Sequence, residues 1–234
     1  KYIRPYVSGE DFISGNFRWI LCLQSASPAE LRQMPLVLER LQAVRDFRLE
    51  SKRAATLSLA QYPRTFNVEV IPVSSFLAIP EVSSERREYI PIGWLQFPSV
   101  PSNKLRVLND ATPWHFGIIT SRMHMAWTVH VGGRLKSDYS YGIGLNYNTF
   151  PWPDASDTQQ AEVERLAQGV LDARAAWPTS SLADLYDPDT MPANLRKAHA
   201  ALDLAVDRLY RPRAKGAPFA SDRERVEHLF GLYE

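Results

Sequence analysis

From Asn109 to Pro153 the chain reads NDATPWHFGIITSRMHMAWTVHVGGRLKSDYSYGIGLNYNTFPWP. Pro113 opens a helix, because the first N–H groups of a helix have no internal partner and proline loses nothing by lacking one. Phe116, Ile119, Met123 and Trp127 keep helical spacing to about Val129. Gly132-Gly133 stops that pattern, and a basic, aromatic, alternating strand follows from Arg134 to Tyr147. Helix and strand so close together call for an α+β fold.

Upstream, Phe17–Leu23 (FRWILCL) is expected as a strand. Ser27-Pro28-Ala29-Glu30 is a helix start, with Ser27 and Glu30 forming a capping box. A second start at Pro35 carries an apolar stripe of Leu38, Leu41, Val44 and Phe47, with Arg40, Arg45, Arg48, Lys52 and Arg53 among its polar positions. Short strands are expected at Phe66–Ile71, Phe76–Ile79, Tyr89–Leu95 and Leu105–Leu108. The FPWPDASD stretch, Phe150 to Asp157, is the natural boundary: two prolines and a polar cluster end the strand-rich region. Residues 1–152 therefore read as a mixed domain of short strands and two main helices. Residues 153–234 read as a small helical bundle. Its first helix is capped by Asp157 and runs to about Trp177, where Pro178 stops it; the others start at Pro192 (to about Tyr210) and at Ser221, which opens a second capping box with Glu224.

The bulk properties exclude several classes. With 45% hydrophobic and 23% charged residues the chain is an ordinary globular sequence, and no apolar run approaches a membrane span. The opening KYIRPYVSGEDF lacks both a starting Met and a secretory pattern, so the chain reads as a piece excised from a longer protein. Cys22 is the single cysteine, expected as a small buried hydrophobe in a cytoplasmic protein. No P-loop, dinucleotide loop or G-x-S-x-G elbow is present, and GIG at Gly142–Gly144 has the wrong spacing. The five histidines, His115, His124, His130, His199 and His228, are scattered without metal-ligand spacing. No catalytic residue, cofactor site or metal site is assigned. Charge is uneven: residues 1–152 hold 17 basic and 12 acidic residues, and residues 153–234 hold 10 and 14. Of the two parts, the first is suited to a polyanion.

The candidates for such contacts lie in that first part. Lys136 and Asp138, two apart on a strand, would share one face. An ammonium donates to guanine O6 and N7, and a carboxylate accepts from cytosine N4–H, so the pair can select one orientation of a G·C pair. Ser140, on the same face, is a weaker candidate for a neighbouring base. The alternative for the pair is a surface ion pair, worth little energy. Arg86 and Arg87, in a turn before YIPIGWL, can clamp a phosphate or pair with Glu85 and Glu88. Arg122 and His124, after Thr120 and Ser121, are further candidates for backbone or groove contact, as is Arg134; an exposed helix face is the alternative for the first two. Trp114, Trp127, Met123 and Met125 are expected in the core.

The phrases MPLVLERLQAVRDFRLESKRAA, SSERREYIPIGWL, HFGIITSRMHMAW, GGRLKSDYSY, YNTFPWP, LYDPDTMP, LRKAHAALDLAVDRLY and ERVEHLFGLYE resemble, in order and across essentially the whole chain, the C-terminal part of MmeI-like DNA methyltransferases. These are single-chain type II restriction–modification enzymes. The resemblance implies a target recognition domain at 1–152 and a C-terminal helical domain at 153–234. It implies double-stranded DNA as partner, together with a methyltransferase domain of the same parent chain. That domain would use S-adenosylmethionine to methylate adenine N6; its Asn-Pro-Pro-Tyr motif and cofactor loop are absent here, as are nuclease carboxylates. In the family, the segment matching GRLKSDYSY supplies base-contacting residues. The family more often has Arg where this chain has Ser140. Two other readings stand beside this one: a protein-interaction module whose basic strand face binds an acidic partner, and an enzyme with an unrecognised site.

Overall fold

The computed structural model describes residues 1–66, 71–212 and 216–233. In the first part, strand β1 (Ile3–Val7) leads to helix α1 (Gly9–Ser14), capped by Ser8, and to β2 (Arg18–Leu21). Three helices follow, α2 (Pro28–Arg32), α3 (Pro35–Leu49) and α4 (Ala54–Ser58). Then come the short strands β3 (Phe76–Pro80), β4 (Val82–Ser83), β5 (Gly93–Leu95), β6 (Val100–Pro101) and β7 (Leu105–Leu108). Helices α5 (Pro113–Ile119) and α6 (Arg122–Val131) precede a hairpin of β8 (Gly133–Leu135) and β9 (Asp138–Ser140). The second part is helical: α7 (Asp157–Ala175), α8 (Leu182–Leu185), α9 (Ala193–Tyr210) and α10 (Asp222–Tyr233). The strands form three small sheets, ordered β2-β1-β6, β5-β3-β7 and β4-β9-β8. The expected class, α+β with a helical second part, is what the chain adopts.

Several expected bounds shift, each for a local reason. The single helix expected from Pro113 to Val129 is two helices. Ser121 Oγ donates to the Ile118 carbonyl at 2.7 Å and accepts from the His124 N–H, so it ends one helix and caps the next. The 134–147 strand reverses after Leu135, and its second half is a helical turn over Ile143–Tyr147. There the buried Asn146 accepts the Gly142 N–H on its side-chain oxygen at 2.7 Å. Ser156, not Asp157, caps α7, and Gln159 completes its capping box. Of the expected strand Tyr89–Leu95 only Gly93–Leu95 pairs; Tyr89, Ile90 and Ile92 are buried in the core without a ladder. The expected strand Phe66–Ile71 falls largely on residues 67–70, outside the described residues.

Helix α3 buries none of its residues completely, and Phe47 of its expected stripe is exposed, while Leu41 and Val44 are half-buried. Two of its arginines hold the next segment: Arg48 donates to the carbonyls of Leu59, Tyr62 and Thr65, and Arg45 to that of Ala60. These bonds satisfy loop carbonyls that no regular ladder reaches.

The main core runs without interruption from the first part into the second. Leu77, Ile79, Phe116, Ile118, Met123 and Trp127 pack in one cluster with Val163, Ala167, Leu195 and Leu202. Each of the Leu, Ile, Val, Phe and Met side chains among them contributes about 1.5–3 kcal/mol by leaving water. Helix α5 presses on α7 at Gly117, where a Cβ would meet Val163 Cγ1 at 2.8 Å and the Ala167 Cβ at 3.3 Å. Polar groups cross the same seam. Arg174 of α7 donates to the Ile92 carbonyl at 2.6 Å and to the Tyr186 hydroxyl at 2.7 Å, and that hydroxyl lies 2.7 Å from His199 Nε2. The Tyr89 hydroxyl donates to Asp203 at 2.6 Å, and the Arg122 N–H to the other Asp203 oxygen at 2.7 Å. Arg225 pairs with the buried Asp207 at 2.7 Å and with Asp222 at 3.1 Å. Each charge has a partner, as its burial requires.

Two outcomes test this seam. Gly117→Ala should destabilise the fold by about 1–3 kcal/mol through overpacking, despite alanine's better helix propensity. Adding Val163→Ala should recover part of that loss, so that in denaturant titrations the double variant costs less than the two single changes together. The second concerns pH. Burial pushes the Asp203 carboxyl up to about 6 from an ordinary 3.8, against the pull of the bonds from Tyr89 and Arg122. A raised acid pKa means that the folded chain holds this proton more tightly than the unfolded chain. The contribution of Asp203 to stability therefore falls as pH climbs from about 4 to about 6, and stays low above that. Asp203→Asn removes the effect. The melting temperature of the variant minus that of the parent should rise across this window and level off above it.

Candidate nucleic-acid interface

The hairpin is built from the register outwards. Gly133 faces Ser140, Arg134 faces Tyr139 and Leu135 faces Asp138, which leaves Lys136 and Ser137 as the two-residue turn. Two-residue hairpins demand positive φ at the turn, usually from Gly or Asn. Here Lys136 adopts it, at φ 58°. The left-handed region costs an L residue roughly 1–2 kcal/mol. An exposed lysine held there is a strained position, and strain of that kind points to function.

This geometry corrects one expectation. Lys136 and Asp138 do not lie on one straight strand, because the chain reverses between them and Lys136 occupies the tip. Asp138 and Ser140 do share a face of β9, together with Leu135 and Val82 opposite them. Strand β9 is the central strand of its sheet, since Ser140 pairs with Val82 on one side and Gly133 on the other. Arg134 and Tyr139 occupy the other face, where the guanidinium stacks on the ring at 4.3 Å and donates to the Ser137 carbonyl at 3.0 Å. Asp138 accepts the Glu85 N–H at 3.2 Å, and the Tyr139 hydroxyl donates to the Glu85 carbonyl, also at 3.2 Å.

The other sequence candidates separate into open and enclosed positions. Arg86 is exposed and pairs with the equally exposed Asp189 at 2.6 Å, which raises its pKa. A pair so open contributes little to stability and exchanges readily for another anion. Arg87 is half-buried, near the charges of Asp187 and Asp138; its burial weakens the charged form. With Asp138, Lys104 and Glu10 it lines a recess of about 500 Å³ between α1 and the hairpin sheet.

Arg122 and His124 are corrections. Arg122 is half-buried and committed to protein partners: its guanidinium pairs with Asp222 and donates to the Glu88 carbonyl at 3.0 Å. His124 is completely buried, with Nε2 2.9 Å from the Tyr141 hydroxyl and its ring edge-on to Phe150. Burial holds its pKa down at about 3, so it stays neutral and has no face to offer a duplex. Trp127, Met123 and Met125 are in the core, and Trp114 is half-buried against it.

Two basic residues at the foot of the hairpin sheet escaped sequence reasoning. Lys104 and Arg106 both pair with Glu81 at 3.1 Å, and the Glu81 carbonyl accepts the N–H of Tyr141, just after β9. The alternation of KLRVL was the available signal, but nothing in the sequence linked it to residues 133–140. Among the described residues no group of His, Cys, Asp or Glu could hold a metal ion, and no helix is long and apolar enough to cross a membrane.

Comparison with known proteins agrees with this architecture. Residues 1–154 match the family described as MmeI, target recognition domain, and residues 155–234 match MmeI, C-terminal domain. The chain is 39% identical over 233 residues to DNA methyltransferase A of Bacillus subtilis (strain 168), a match covering 100% of this chain and 26% of that protein. The solved structure of the Type IIL restriction–modification enzyme MmeI in complex with DNA aligns with a TM-score of 0.94 at 42% identity, over 99% of this chain and 30% of that one. The chain belongs to the MmeI family and corresponds to its target recognition and C-terminal domains. It spans between a quarter and a third of the length of these relatives.

The turn geometry makes its own prediction. Lys136→Gly should stabilise the hairpin by about 1 kcal/mol, because glycine reaches positive φ without steric cost. Thermal unfolding of this variant checks the left-handed assignment independently of any ligand.

Proposed function

We propose that this chain is the sequence-reading part of an S-adenosylmethionine-dependent adenine-N6 DNA methyltransferase of the restriction–modification type, working in the cytoplasm. Residues 1–152 lie along the major groove, and residues 153–234 buttress them through the shared core. Arg86, Arg87 and Arg134 hold phosphates or groove edges and set register. Lys136, Asp138 and Ser140 address base edges. The catalytic pocket and the methyl donor belong to the rest of the parent chain, into which the target adenine swings because N6 is out of reach inside a duplex. The contribution of this chain to methylation is placement of the duplex. No bond is made or broken by its residues.

The observation that carries this reading is the projecting hairpin. In a chain of the MmeI target recognition family, it brings an ammonium at the strained tip and a carboxylate two residues later to one exposed end of a sheet. Lys136 supplies a donor for guanine O6 and N7, and Asp138 an acceptor for cytosine N4–H, so together they favour one orientation of a G·C pair. The solved DNA complex of the relative MmeI supports a nucleic-acid partner over an acidic protein.

The test is a charge exchange in the full-length protein. Lys136→Glu combined with Asp138→Arg should change the preferred base pair at one position of the recognition sequence and leave the others as they were. Each single change should lose most activity, since one wrong contact costs on the order of 1–3 kcal/mol. Mapping of methylated sites reads the outcome; an unaltered recognition sequence in the double variant would overturn the assignment.

A further inference from the structure

A carboxylate that reads a base must present an oxygen at a fixed place. Torsion about the last bond of an Asp side chain is broad, so an unsupported Asp138 would sweep its oxygens over a wide arc. In this structure one oxygen is already taken: Oδ1 accepts the main-chain N–H of Glu85 at 3.2 Å. A carboxylate offers two oxygens, so Oδ2 stays available while the carboxylate plane is set.

The donor is itself held. Glu85 is the second residue of a turn closed by the Arg87 N–H donating to the Ser84 carbonyl at 3.1 Å, and Ser84 Oγ accepts the Arg86 N–H at 3.3 Å. The turn continues directly from β4, whose Val82 and Ser83 pair with Ser140 and Tyr139. The Glu85 carbonyl accepts the Tyr139 hydroxyl, so the two peptide groups of one residue clasp consecutive residues of β9. At its far end the turn is fastened to the helical part. Glu88 pairs with Arg196 at 2.8 Å, and its carbonyl accepts a bond from Arg122.

We infer that Glu85 is a specificity-positioning residue that acts through its main-chain N–H. It fixes the Asp138 carboxylate so that a single oxygen faces the duplex and accepts one base donor. Its side-chain carboxylate has no part in this. The inference rests on Asp138 reading a base edge, as proposed above, and adds the group that makes that reading selective.

Glu85→Pro in the full-length protein deletes this one donor. Proline is favoured at the second position of such turns, and Glu85 is not among the residues with positive φ. Base preference is measured by selection from duplexes randomised across the recognition site, with Asp138→Ala run in parallel to mark the position that Asp138 reads. At that position alone, Glu85→Pro should reduce discrimination by on the order of tenfold, the scale of one good base contact. Glu85→Ala keeps the N–H and should retain the parental profile. If Asp138→Ala shifts no position, the reading of Asp138 fails and this inference falls with it. If Asp138→Ala shifts one position while Glu85→Pro leaves it unchanged, the reading stands and the inference is overturned. Should circular dichroism show that Glu85→Pro does not fold, the α-hydroxy acid analogue of glutamate at position 85 decides the matter, because it replaces this one N–H with an ester oxygen and adds no ring. Weaker discrimination at the same position supports the inference, and an unchanged profile overturns it.

Discussion

Helix α5 lies against α7 with no side chain between them at Gly117, and the rest of the molecule is arranged around that contact. A close approach here lets Phe116, Ile118 and Ile119 share one core with Val163, Ala167 and Val170. The strands of the first part are too short and too scattered over three sheets to enclose a large core of their own. They borrow the helical part as one wall. The acidic second part thus supplies one wall of the main core of the basic first part.

The seam also explains which charges are available to a ligand. Arg122 and Arg225 belong to a network with Asp207 and Asp222, and removing a partner from such a network leaves an uncompensated charge. Arg86 and Lys104 make exposed pairs that give up little when they exchange partners. Formal charge counts treat these residues alike. Burial divides them into cations that hold the protein together and cations that remain open to an anion outside it.

Much of this was legible in the sequence where the causes are local. The starts at Ser27, Pro113 and Ser221 and the stop at Gly132 follow from capping and proline chemistry acting over a few residues. What could not be read depended on distant partners. Arg122 looks like a polar helix position until Asp222, 100 residues away, is brought beside it. His124 looks available until Tyr141 and Phe150 close over it. The segment reads in sequence as a straight strand because Lys136-Ser137 lacks the glycine or asparagine that normally announces a two-residue turn. Only the family resemblance implies a base-contacting role for that segment; its alternation alone reads as an ordinary surface strand.

From Gly133 to Ser140 no residue is fully buried, and the segment is joined to the body by strand pairing and a few hydrogen bonds. Side chains there can be exchanged with little penalty to folding, since surface replacements usually change stability by no more than about 0.5 kcal/mol. The buried seam between α5 and α7 has no such freedom, because an added methyl at Gly117 already meets Val163 and Ala167. The segment tolerant of replacement and the core intolerant of it thus occupy different layers of the molecule.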